Sequence, residues 1–209
     1  MFDYQVSRTE APFCRLVLAH GAGAGYQTAF MTQMADYLAA RNIEVWRFNF
    51  PYMQTMQATG KRRPPDRMPT LETHFLAVLN QIADSEVSLP LFVGGKSMGG
   101  RVATHILSQS HALGAVVLGY PFHPPARPDK LRTEHFAQLS KPVCICQGER
   151  DTFGTRAEID SYHLPDTVSV SFLPDGDHSL QPRRRSGKTL DDNMQQTAQI
   201  AATFMHDQV

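Results

Sequence analysis

Short apolar runs alternate with amphipathic segments along most of the 209-residue chain. The apolar runs lie within the stretches CRLVLAHGAGAG, IEVWRFNFPY, LPLFVGG, LGAVVLGYPF, KPVCICQGE and TVSVSFLP. Such short, nearly continuous runs are typical of strands that are buried on both faces of a parallel sheet. The segments between them repeat apolar residues at helical spacing, as TAFMTQMADYL does. The pattern therefore predicts one α/β domain over residues 1–209, with helices on both faces of a mostly parallel sheet.

The boundaries of several elements follow from local signals. The tail of IEVWRFNFPY, residues Met53 to Pro69, is rich in polar residues, Gly and Pro, and is predicted to be irregular. Thr70 is predicted to cap a helix over LETHFLAVLNQIAD, which ends at Asp84. The stretch KTLDDNMQQTAQIAATFMHDQ predicts a long C-terminal helix.

The composition narrows the class of protein. Twenty basic and twenty acidic residues give zero net charge, which argues against a dedicated binder of nucleic acid or of a membrane surface. The N-terminus has no signal-peptide pattern, and no apolar run approaches the length of a membrane span. Three cysteines within apolar runs indicate buried free thiols, so we expect a cytoplasmic protein. The expected partner is a small-molecule substrate. The pattern indicates neither a metal nor a cofactor, and the oligomeric state stays open.

The motif G-x-S-x-G occurs as Gly95-Lys96-Ser97-Met98-Gly99. It lies directly after the apolar run LPLFV and directly before a segment with helical periodicity. This placement is typical of a nucleophile elbow, a strained turn that lifts the serine hydroxyl out of the sheet. The alternative is a serine that caps a helix in a glycine-rich connection.

A serine hydroxyl is a weak nucleophile and needs a base. His178 follows the last predicted strand, and the carboxyl ends of parallel strands meet at the edge where Ser97 is expected. Asp151 follows the preceding strand and is the predicted carboxylate that orients the base. Glu149 and Asp177 are the rival carboxylates. The chain order serine, aspartate, histidine is the one expected for an α/β-hydrolase.

The stretch HGAGAG, residues 20–25, follows the first clear strand. In this fold one oxyanion donor is the N–H of the residue after the nucleophile, here Met98, and the other comes from a loop in this position. Ala22 and Gly23 are the two candidates for the second donor. A phosphate-binding turn is the alternative, although Tyr26 stands where a dinucleotide fingerprint has its last glycine.

The sequence resembles the α/β-hydrolase superfamily from residue 16 to the C-terminal helix. The blocks LAHGAGAG, FPYM, GKRRPPDR, GGKSMGGRVA, GYPFHPP, LRTEHF, QGERDTFG and LPDGDHSL are similar to a narrower group. That group contains small bacterial hydrolase-like proteins and the α/β-hydrolase-like domain of the third regulatory subunit of the NSL chromatin complex. The resemblance implies the fold and a triad of Ser97, Asp151 and His178, but no substrate.

The substrate contacts are predicted from the loops. The stretch GYPFHPPARPDKLRTEHF is too short to hold a lid domain, so we expect an open site that is bordered by Tyr120, Phe122 and His123. Lys96 and Arg183 are candidate contacts to an anionic substrate, the latter in the basic run QPRRRSGK. The alternative is that the basic runs are ordinary solvated loops.

Together these features predict a serine hydrolase of the ester or thioester type that works through an acyl-enzyme intermediate. A peptidase or acyltransferase with the same triad is an alternative within catalysis. A non-catalytic interaction module that keeps the hydrolase fold is the alternative outside it.

Overall fold

The computed structural model describes residues 2–83 and 88–209 of the chain. Its strands are β1 (Tyr4–Ser7), β2 (Cys14–Ala19), β3 (Ile43–Phe48), β4 (Leu91–Lys96), β5 (Ala115–Leu118), β6 (Val143–Gly148) and β7 (Val168–Leu173). Its helices are α1 (Ala29–Ala39), α2 (Pro51–Thr59), α3 (Met68–Ala83), α4 (Met98–Ile106), α5 (Arg156–Ile159) and α6 (Leu190–His206).

One twisted sheet contains all of these strands in the order β1-β3-β2-β4-β5-β6-β7. β1 pairs with β3 in antiparallel fashion, and the other neighbours pair in parallel. Helix α1 lies in the crossover from β2 to β3, and helix α4 lies in the crossover from β4 to β5. This arrangement confirms the predicted fold class, and it brings the carboxyl ends of β2 and β4–β7 to one edge.

Two apolar layers cover the sheet, one on each face. On one face, α3 and α4 pack through residues such as Phe75 and Val102, which are fully buried. On the other face, α1 and α6 pack through residues such as Met34 and Met194. Because both faces are covered, the central strands are apolar on both sides, and this is why their sequences show no alternation of polar and apolar residues.

The structure corrects part of the prediction that residues 53–69 are irregular: residues 60–67 form neither helix nor strand, but helices occupy both ends of the range. α2 occupies Pro51–Thr59, with Pro51 at its first turn and Gly60 in the left-handed conformation at its end, where φ is 68°. Proline is favourable at the first position of a helix because the N–H that it lacks has no partner there. α3 begins at Met68 rather than after Thr70. The last predicted residue of that helix, Asp84, lies outside the described residues.

The connection between β5 and β6 comprises residues 119–142, and its regular structure is one 3-10 turn, Glu134–Gln138. This agrees with the expected lack of a lid domain. The three cysteines are buried free thiols, as predicted. Among the described residues, no helix combines the length and the apolar character that a membrane crossing requires.

Candidate active site

Ser97 sits in a strained turn between β4 and α4. Its φ is 53° and its ψ is −115°, a backbone conformation that side-chain-bearing residues rarely adopt. The turn is tight enough that a Cβ on Gly99 would lie 2.5 Å from the His20 carbonyl oxygen, and one on Gly95 would lie 2.3 Å from the Gly99 carbonyl carbon. The glycines of the motif are therefore required by backbone packing, and Ser97 is the residue that the turn presents.

A continuous chain of hydrogen bonds starts at this serine. Ser97 Oγ lies 2.8 Å from His178 Nε2, and His178 Nδ1 lies 2.7 Å from Asp151 Oδ2. A carboxylate can only accept, so Nδ1 carries the proton and Nε2 is left to accept from the serine hydroxyl. His178 keeps 22% of its side chain exposed, whereas Asp151 has none exposed. The arrangement can remove a proton from Ser97 and store it on the imidazole.

The buried Asp151 carboxylate is held by further donors. Its Oδ1 accepts the Phe153 N–H at 2.8 Å, and its Oδ2 also accepts from Gln147 Nε2 at 2.9 Å. Gln147 is itself fully buried, and its Oε1 accepts the Tyr120 N–H at 2.7 Å. The Phe153 ring packs on the His178 ring with 4.3 Å between centroids. These contacts fix the plane of the carboxylate and the orientation of the base.

The two rival carboxylates bind elsewhere. Glu149 pairs with Arg156 at 3.1 Å and accepts the Asp175 N–H at 2.8 Å. Asp177 accepts the Ser179 N–H at 2.7 Å. The structure thus brings Asp151, rather than either rival, to the imidazole.

The HGAGAG loop meets Ser97 through Gly21, where an added Cβ would lie 3.7 Å from Ser97 Cβ. His20 stabilises this loop through hydrogen bonds at both of its ring nitrogens. Its Nδ1 lies 2.6 Å from the Gly21 carbonyl oxygen and must donate to it, while its Nε2 accepts the Phe50 N–H at 3.1 Å. The Tyr52 hydroxyl donates to the Ala22 carbonyl at 2.9 Å. Burial lowers the pKa of His20 to about 4, so this histidine is neutral at physiological pH.

The predicted oxyanion donors belong to the start of α4 and to the HGAGAG loop. Met98 is the first residue of α4, so its N–H is one of those that a helix leaves without an internal partner. Ala22 and Gly23 are exposed in the loop beside Ser97. Ala22 is directly bonded to Gly21 and has its carbonyl tied to Tyr52, and the structure gives Gly23 no close neighbour at its Cβ position.

The residues that were predicted to border the substrate site are buried in the core. Tyr120, Phe122 and His123 are 0%, 0% and 1% exposed, so none of them contributes open surface to the site, contrary to expectation. The Tyr120 hydroxyl donates to the Arg132 carbonyl at 2.6 Å, and His123 Nδ1 donates to the Pro124 carbonyl at 3.0 Å. Loop residues after a central strand were expected at the surface, but their rings fill the core.

The two predicted cationic contacts are used within the protein. The Arg183 guanidinium pairs with the Asp175 carboxylate through both Nε and Nη2. Lys96 Nζ donates to the His178 carbonyl oxygen at 2.5 Å. Sequence reasoning also missed His20 and Gln147, although a signal existed for each. His20 stands at the end of an apolar strand run, and Gln147 stands within one. A buried polar group in such a place requires a specific partner.

Comparison with known proteins shows the family to which the chain belongs. The model of a family described as alpha/beta hydrolase domain matches residues 13–206. The chain belongs to this family. The alpha/beta hydrolase assignment agrees with the parallel sheet, the strained serine turn and the order of Ser97, Asp151 and His178 along the chain.

Several solved structures share the fold. A lidless α/β serine hydrolase, XC6422 from Xanthomonas campestris, is 16% identical with a TM-score of 0.75, over 97% of this chain and 89% of that one. A dienelactone hydrolase from Anabaena variabilis is 14% identical with a TM-score of 0.73, over 97% and 90% of the two chains. Est1E from Butyrivibrio proteoclasticus is 14% identical with a TM-score of 0.72, over 98% and 93%. At these identities the likeness concerns the fold.

Proposed function

We propose that this alpha/beta hydrolase is a serine hydrolase that cleaves esters or thioesters through an acyl-enzyme. The observation that carries the proposal is the unbroken hydrogen-bond chain from Ser97 Oγ through His178 to the buried Asp151. The names of its structural relatives, which include a serine hydrolase and a dienelactone hydrolase, support a hydrolytic reaction. A cytoplasmic location and a small-molecule substrate belong to the same proposal.

In the first half of the reaction, Ser97 Oγ forms a bond to the acyl carbon while its proton passes to His178 Nε2. The oxyanion that forms is stabilised by the Met98 N–H and by a loop N–H, for which Ala22 is the better placed candidate. The bond to the leaving group then breaks, and the leaving alcohol or thiol takes the proton from Nε2. In the second half, water replaces the alcohol, gives its proton to Nε2 and releases the acid, and Ser97 recovers a proton.

A fluorophosphonate probe tests this proposal. The wild-type protein should be labelled covalently at Ser97, and Ser97→Ala should not be labelled. Ser179→Ala is a matched control, since Ser179 is an exposed serine next to His178 on the same edge. Absence of labelling in the wild type at pH 7.5, with the protein folded, would refute the catalytic assignment. It would favour the alternative of an interaction module, which the resemblance to the NSL subunit suggests.

We also propose a preference for substrates with an anionic group, carried by Arg101 and Arg132 rather than by Lys96 or Arg183. The Arg101 N–H donates to the Ser97 carbonyl at 3.0 Å, which places Arg101 one turn into the nucleophile's helix. Arg132 lies in the β5–β6 connection, with its carbonyl on the Tyr120 hydroxyl. Both side chains are partly exposed.

The charge of Arg101 acts on the Arg132 guanidinium, and neither group pairs with a carboxylate of the described residues. Burial, followed by the charge of Arg101, lowers the pKa of Arg132. Within residues 2–83 and 88–209, no acidic side chain forms an ion pair with either arginine, and Arg101 Nε is a buried donor without a partner. Two neighbouring guanidinium groups without a carboxylate partner are stabilised by an anion that accepts hydrogen bonds from both of them.

An ester pair distinguishes the charge effect. The p-nitrophenyl monoester of adipic acid carries a free carboxylate, and p-nitrophenyl hexanoate is its neutral counterpart. Arg101→Gln and Arg132→Gln should each lower kcat/KM for the carboxylate ester by about 10- to 100-fold, the range of one charge-assisted hydrogen bond, and spare the neutral ester. Arg183→Gln should affect both esters alike, because Arg183 is paired with Asp175. Equal losses on both esters in the Arg101 and Arg132 variants would remove the proposed preference.

A further inference from the structure

Lys96 precedes the nucleophile, yet its side chain turns inward toward the base. Its ammonium group donates to the main-chain carbonyl of His178 at 2.5 Å. The same nitrogen lies 5.7 Å from the centroid of the Phe30 ring on α1. An ammonium group that lies over an aromatic ring and donates to one carbonyl holds that carbonyl in place. Lys96 therefore connects the end of β4 directly to the residue that must accept the proton from Ser97.

Gly119 shows how close the ammonium is to the imidazole. A Cβ on Gly119 would lie 3.3 Å from Lys96 Nζ and 3.4 Å from His178 Nδ1, so the two nitrogens flank one empty position. Gly119 has a φ of 69°, which glycine adopts without strain. A side chain there would separate the two groups. The chain thus keeps a positive charge beside the imidazole with no atom of another side chain between them at this point.

We propose that Lys96 is a positioning residue for the base: it anchors the His178 backbone, and its charge opposes protonation of the imidazole, so that His178 stays ready to accept a proton at lower pH. This inference rests on the proposed serine hydrolase function. It replaces the expected role of Lys96 as a substrate contact, since the ammonium already binds the protein's own backbone.

The charge state of Lys96 sets the pH range of the effect. Burial lowers the pKa of Lys96 to about 8, and the carboxylates of Asp151 and Asp177 act in the opposite direction. Lys96 is therefore mostly charged near pH 6.5, where an ordinary histidine gains its proton.

The rate of Ser97 labelling by a fluorophosphonate, measured from pH 5 to pH 9, tests the inference. Labelling requires an unprotonated base, so its rate falls on the acid side of the profile. In Lys96→Met the midpoint of this fall should move to higher pH by about one unit, the order expected for a unit charge at this range in a partly hydrated site. The plateau rate should also fall several-fold as the backbone anchor is lost.

Lys141→Met is the matched control. Lys141 Nζ likewise donates to main-chain carbonyls, to Ser110 O at 2.6 Å and to Leu107 O at 3.3 Å, but at the other end of the sheet. This variant should keep the wild-type midpoint even if it lowers stability. Lys96→Arg, which keeps the charge, should also keep the midpoint and provides a second test if Lys96→Met does not fold.

The outcomes separate the two proposals. If the wild type is labelled and Lys96→Met has the same acid midpoint as the wild type, the proposed role of Lys96 is overturned. The hydrolase proposal then stays intact. A Lys96→Arg midpoint displaced by about one unit would overturn the proposed role of Lys96 as well. A wild-type protein that is not labelled at any pH would instead refute the hydrolase function on which the inference depends.

Discussion

Protonation of the buried His20 should make the fold sensitive to acid. Its imidazole has no exposed surface, donates from Nδ1 to the Gly21 carbonyl and accepts the Phe50 N–H at Nε2. A second proton on Nε2 would place two donors against each other in a site without water access. Burial accordingly lowers the pKa of His20 from 6.5 to about 4, whereas the unfolded chain keeps the ordinary value.

The sign and size of the effect follow from linkage. Between pH 6.5 and pH 4 the unfolded state binds the proton and the native state does not, so the free energy of unfolding falls as the pH falls. The full shift corresponds to about 3 kcal/mol, and about 2 kcal/mol of that is lost by pH 5. Above pH 6.5 both states are neutral at this position, and His20 contributes no pH dependence.

Urea unfolding at pH 7.5, 6 and 5, followed by the fluorescence of the single tryptophan, measures this effect. His20→Gln has no titration at this site, so its stability between pH 7.5 and pH 5 should fall by about 2 kcal/mol less than that of the wild type. His111→Gln, at an exposed position, should follow the wild-type curve. Parallel losses in wild type and His20→Gln would refute the reasoning.

Two further predictions concern the proposed catalytic residues. Asp151→Asn should lower the rate of fluorophosphonate labelling by about 10³- to 10⁴-fold at pH 7.5, because an amide in place of the carboxylate favours the wrong tautomer of His178. A loss of less than tenfold would show that the carboxylate does not orient the base. Ser97→Gly should abolish labelling and raise the free energy of unfolding by about 1 kcal/mol, because glycine relieves a backbone strain of about 1–3 kcal/mol but adds entropy to the unfolded chain. A destabilised Ser97→Gly protein in urea unfolding would contradict the strain argument.

The meeting of Ser97, Asp151 and His178 at one edge was predictable because parallel strands impose it. Ser97, Asp151 and His178 each follow an apolar run, and in such a sheet these ends share one edge whatever the loops do. β1 was not predicted, since a four-residue, partly exposed edge strand carries little apolar signal. α2 was missed for a different reason. The Gly and Pro residues of the range 53–69 suggested an irregular segment, but all of them lie after Thr59, where α2 ends.

The directions of long side chains were not predictable. Nothing in the spacing of the sequence shows that Arg183 meets Asp175, or that Lys96 turns toward His178, since these contacts depend on how loops from different strands fold over the edge. The burial of Tyr120 has the same origin. A residue after a strand lies at the sheet edge, but whether its ring points into the core is decided by tertiary packing.

The site contains several features that cost stability, and this bears on the choice between an enzyme and an interaction module. Ser97 holds a strained backbone conformation with positive φ without being glycine. Asp151 is a fully buried carboxylate, and a buried charge is costly unless its partners are all in place. Lys96 keeps a positive charge beside the base at the expense of its hydration. A module that only binds partners through its surface has no physical need for these three features at one point. A nucleophile, its base and a charged support for that base need all of them, which favours catalysis at Ser97.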